Sequence, residues 1–114
     1  MYLNDFSNKN NVFQEFSNSY NTVDESFEDY NNINILLASY VGGWEGYAFV
    51  LFERNGQLYE VNGSHCSCYG LEGQWSPEET SVEALQHRMD KGNLGSGYQG
   101  DFANELREVL KEWG

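Results

Sequence analysis

The chain has 114 residues, a length that holds one hydrophobic core, because two domains would each fall below the size at which burial outweighs chain entropy. Against 6 Lys and Arg it carries 18 Asp and Glu, a formal charge of −12 and a pI near 4.3. That balance argues against direct binding of DNA, RNA or an anionic membrane, all of which draw their affinity from Lys and Arg, and makes a basic protein the natural partner.

The apolar share of 39% is low, but an aromatic share of 16% supplies rings that bury large areas, so a core can form. No run of about 18 apolar residues is present, and the opening Met1-Tyr2-Leu3-Asn4-Asp5 lacks the basic and apolar regions of a secretory signal. The expected location is therefore the cytoplasm, where Cys66 and Cys68 are thiols or metal ligands: one intervening residue would make a disulfide a small, strained ring.

In chain order, Val12, Phe13, Phe16 and Tyr20 share one side of a helix, and the Asn- and Ser-rich stretch of residues 1–20 around them is expected to be loosely attached. Thr22 followed by Glu25 forms a capping box for a second helix with Val23, Phe27 and Tyr30 as its contacts, ending near Asn31-Asn32. Residues 33–41 and Gly46 to Glu53 read as strands. In the latter, Tyr47, Phe49 and Leu51 alternate with Ala48, Val50 and Phe52, so both faces are apolar and the strand is central. Asn55-Gly56 suits a type I′ turn, and Leu58 to Val61 pairs back.

After Asn62-Gly63 the stretch SHCSCYGLEGQW reads as a structured loop. Ser76-Pro77-Glu78-Glu79 carries helix-start signals, namely a Ser cap, Pro at the first position and acids where the dipole favours them, and Lys91-Gly92 suits a left-handed close. Val82, Leu85 and Met89 form the buried stripe of that helix, and Phe102, Leu106, Val109, Leu110 and Trp113 that of the last one. The expected fold is a single α+β domain, a three-stranded antiparallel β-meander packed with N-terminal and C-terminal helices.

Three groups of residues bear on function. His65, Cys66, Cys68 and His87 supply the four ligands of a structural zinc, against the alternative of two buried thiols and two surface histidines. The same residues would serve a thiol nucleophile with His87 as base, which further needs a cleft and an oxyanion site. Residues 95–100 match G-x-G-x-x-G, but the match follows a helix rather than a strand and reads as a connection.

Carboxylates form the third group. Asp24, Glu25, Glu28 and Asp29 fall at helical spacings that set Cβ atoms ~5–6 Å apart, comparable with the charge spacing of a nucleic-acid backbone. Glu78, Glu79 and Glu83 form a second acidic surface at the start of the next helix, and Glu105, Glu108 and Glu112 a third. Together they can imitate nucleic acid toward a basic groove, while each group taken singly also reads as dipole-stabilising first-turn acids. Trp44, in the turn between the first two strands, and Tyr98, in the Gly-rich connection, are either interface anchors or core rings.

The run GYAFVLFERNGQLYEVNGSHCSCYGLEGQWSPEETSVEAL, above all HCSCYGLEGQW, resembles a group of small proteins encoded by tailed bacteriophages. The resemblance implies synthesis inside an infected bacterial cell, and it implies no catalytic residue. By analogy with anti-CRISPR and anti-restriction proteins, the expected function is non-enzymatic inhibition of a basic nucleic-acid-handling host protein such as a Cas nuclease. The alternatives are a zinc-stabilised binding module and a thiol-dependent enzyme.

Overall fold

Both faces of the run from Gly46 to Arg54 are apolar, and in the computed structural model this run is the middle strand of a five-stranded sheet. The structure describes residues 1–16, 32–42, 46–65, 71, 74–96 and 101–113. Within them the order is β1 (Tyr2–Asn4), α1 (Lys9–Phe16), β2 (Asn34–Val41), β3 (Gly46–Arg54), β4 (Gln57–His65), β5 (Glu78–Thr80), α2 (Val82–Lys91) and α3 (Ala103–Trp113). The strands lie side by side in chain order, β1 parallel to β2 and every other pair antiparallel.

The meander of β2, β3 and β4 is thus the centre of a larger mixed sheet, which corrects the expected three strands while keeping the α+β class. The two added edge strands have three residues each, too few to show an alternation in sequence. Residues 1–16, expected to be loosely attached, supply β1 and four core side chains: Phe6, Val12, Phe13 and Phe16. The helix expected between Thr22 and Asn31, like Tyr20, lies outside the described residues.

Alternation along β3 feeds two cores. Ala48, Val50 and Phe52 join α1, Ile35, Ala38, Val61, Leu71 and Trp75 on one face, where Trp75 stacks on Phe52 at 5.7 Å between ring centroids. Phe49 and Leu51 face α2 and α3 with Leu37, Leu85, Met89, Leu106 and Leu110, and Phe49 stacks on Phe102 at 4.9 Å. A bulge between Ile35 and Leu37 shifts the alternation along β2, so that Ile35 and Ala38, three residues apart, share the first core while Leu37 enters the second.

Local signals explain the connections, with two corrections. Asn55 and Gly56 take φ of 55° and 82°, the positive pair that a type I′ turn requires, and Glu53 accepts the Gly56 N–H at 3.0 Å. Ser76-Pro77-Glu78-Glu79 does not begin a helix: Glu78 and Glu79 belong to β5, and Ser81 caps α2 by accepting the Ala84 N–H at 3.1 Å. Pairing of residues 78–80 with Leu58 to Glu60 wins over the first-turn preferences, and the next cap in the sequence takes over.

Gly92 closes α2 at φ −115° rather than in the left-handed region, donating its N–H to the Arg88 carbonyl. Gly95 does adopt a positive φ, 77°, and a Cβ there would stand 2.7 Å from the Ala103 nitrogen. That close approach lets the Gly95 carbonyl accept the N–H groups of Phe102 and Ala103 and seat the start of α3. In α3, Leu106 and Leu110 are buried while Val109 and Trp113 are half-buried.

Candidate functional site

The acidic residues separate according to the elements that carry them. Glu78 and Glu79 are exposed on the edge strand, and Glu83 is exposed in the first turn of α2. Because successive strand residues point to opposite faces, Glu78 shares the face covered by α2 and α3 with its partner Glu60, whereas Glu79, opposite Tyr59, lies toward the face covered by α1. The single acidic helix start expected here is therefore split across a sheet edge. Asp24, Glu25, Glu28, Asp29 and Trp44 lie outside the described residues, as does Tyr98.

Glu60 shows what an inward-facing carboxylate needs. It is 6% exposed, accepts a charge-assisted bond from Arg88 Nη1 at Oε1, and accepts from Asn62 Nδ2 at 3.3 Å at Oε2. A buried carboxylate without such partners would cost several kcal/mol, on the order of its desolvation. Glu60 follows Leu58 by two positions and so falls on the stripe that strand alternation turns inward, a signal that would have marked it in the sequence.

Most of the cations are engaged within the chain. Arg88 is held by Glu60, Arg107 bonds Asp90 at 3.2 Å between α3 and α2, and Lys9 donates to the Ile33 carbonyl at 3.0 Å. The Arg54 guanidinium lies over Tyr59 at 4.8 Å and Phe52 at 5.9 Å. Between described residues no ion pair holds Glu78, Glu79 or Glu83. Glu105, Glu108 and Glu112 recur at three- and four-residue spacings on α3 and so lie on one side of that helix, with Arg107 and Lys111 on another.

His65 ends β4 opposite Gly46, and its imidazole lies directly against the β3 backbone, where any Cβ on residue 46 would overlap Nε2. The ring thereby reaches across β3 to β2, with Nε2 2.6 Å from Tyr40 Oη, while Tyr40 packs its own ring on Phe6 at 5.2 Å. His87 is exposed on α2, between the buried Leu85 and Met89 and so on the side turned away from the sheet.

The two histidines thus stand on opposite sides of the sheet, so of the expected ligands His65, Cys66, Cys68 and His87 the structure separates His65 from His87. The spacing could not show this, because their separation in space is set by the sheet between them. The same placement separates His87 from the strand end at which His65 lies. Cys66 and Cys68 are outside the described residues; among the described ones no three His, Cys, Asp or Glu side chains gather as a metal ion would require.

Among the described residues no helix is long and apolar enough to cross a membrane. No protein-family model, curated protein or solved structure matches the chain.

Proposed function

We propose that this chain acts by binding rather than catalysis, seating its carboxylates in the cationic channel of a nucleic-acid-handling host protein, as a phage-encoded anti-defence inhibitor would. A Cas nuclease is one partner of that chemistry. One observation carries the reading: the chain directs four of its six cations inward or onto its own surface groups and leaves Glu78, Glu79 and Glu83 exposed and unpaired among the described residues. The described surface offers little else to a partner, Met1 being the one large apolar side chain exposed on it.

An interface of this kind gains on-rate and specificity from its field, and its rim charges contribute ~0.2–1 kcal/mol each. Neutralising three at once, Glu78→Gln with Glu79→Gln and Glu83→Gln, should weaken binding to a purified Cas nuclease by about tenfold in calorimetric titration. Unchanged affinity in a folded triple variant would contradict the assignment of these carboxylates to the interface.

A further inference from the structure

Resting on that reading, we infer that a second feature fixes where the partner anchors: a groove between the β3–β4 turn, the β5–α2 junction and the end of α3, which takes an arginine side chain. It has a volume of about 320 Å³ and is lined by Gln57, Leu58, Thr80, Val82, Glu83 and Trp113, among others. Its floor is apolar, from Leu58 and Val82, and one wall is the half-buried Trp113. Among the described residues, Glu83 is the one charged residue of its lining.

Two other polar side chains of the lining make hydrogen bonds within the chain. The Gln57 amide donates to the Leu58 and Thr80 carbonyls, at 3.0 Å each, which ties its side chain to the start of β4 and the end of β5. Ser81 Oγ is taken by the Ala84 N–H. An indole ring, a carboxylate and apolar side chains in one groove suit a flat cationic group that stacks and donates at its edge, which is the chemistry of guanidinium. The start of α2 opposes a cation with about half a unit of positive charge, which the full charge of Glu83 in the same turn outweighs.

The groove is small beside a channel-sized interface, and it supplies what a diffuse field lacks, a fixed register. Arginine should be preferred to lysine, because ammonium neither stacks on the indole nor donates as a planar fork.

The test uses the full chain with hexa-arginine and hexa-lysine peptides as probes. Titration should show the arginine peptide binding about two- to fivefold more tightly, with quenching of Trp fluorescence. Trp113→Leu should remove the quenching and the preference, and Glu83→Gln should weaken the arginine peptide by a similar factor. Glu108→Gln, an equal charge change on α3 outside the groove's lining, serves as the control and should not reduce the preference. Equal binding of the two peptides, or equal effects of Glu83→Gln and Glu108→Gln, would overturn the groove while leaving the electrostatic reading intact. No salt-sensitive binding of either peptide would overturn both. If Trp113→Leu fails to fold, the comparison of Glu83→Gln with Glu108→Gln decides alone.

Discussion

At the scale of single residues, two contacts hold the sheet in ways that pairwise strand propensity does not specify. His65 can reach Tyr40 only because residue 46 has no side chain, so Gly46→Ala would push the imidazole off β3 and break the 2.6 Å bond to Tyr40 Oη. The loss is expected to be ~1–3 kcal/mol in urea denaturation, the range for displaced packing together with an unmade, partly buried hydrogen bond. Tyr40→Phe, which removes the hydroxyl but not the fit, should cost less, ~0.5–1.5 kcal/mol. If the two variants cost the same, the glycine serves no such role. On the other face, Arg88→Met leaves the Glu60 carboxylate buried with Asn62 as its remaining partner. It should destabilise more than the double variant Arg88→Met with Glu60→Leu, because removing both charges also removes the unpaired one.

At the scale of elements, the start of α2 gives a clean contrast between two serines. Ser81→Ala removes the side chain that accepts the Ala84 N–H and should cost about 1 kcal/mol, whereas Ser76→Ala, at the exposed residue before Pro77, should stay within about 0.5 kcal/mol. Denaturant midpoints of the two variants check the assignment, and the reverse order would restore the helix to Ser76. The β2–β3–β4 meander, the Asn55-Gly56 turn, the stripe of α2 and most of that of α3 were legible because each rests on a repeated period or a turn with one backbone solution.

What the sequence concealed was short or dependent on a neighbour. β1 and β5 exist because a longer strand offers them an edge, and local preference at Pro77-Glu78-Glu79 pointed elsewhere. Among the site residues, the exposure of Glu78, Glu79 and Glu83 followed from their charge, but their division between two faces followed from β5, and the separation of His65 from His87 from the sheet between them. Both edges are also blunted. Asn4 turns out of β1 at φ 59°, and Pro77 precedes β5 without an N–H, so neither offers a long template for strand addition.

At the scale of the whole molecule, β3 is the shared floor of two cores, so Leu51→Ala should cost ~2–5 kcal/mol, much of the stability of a domain this size, and lower the urea midpoint accordingly. A sheet covered on both faces and blunted at both edges leaves charge as the main feature of the described surface. Six of the 18 carboxylates, and none of the cations, lie outside the described residues, so the imbalance of the full chain exceeds that of the surface described. The most direct measurement of the central claim is competition between this protein and duplex DNA for a Cas nuclease, at about 50 mM and about 200 mM salt. The two should exclude one another at the lower salt, with the protein's affinity falling severalfold or more at the higher. A stable ternary complex of nuclease, DNA and this protein, or an affinity indifferent to salt, would contradict it.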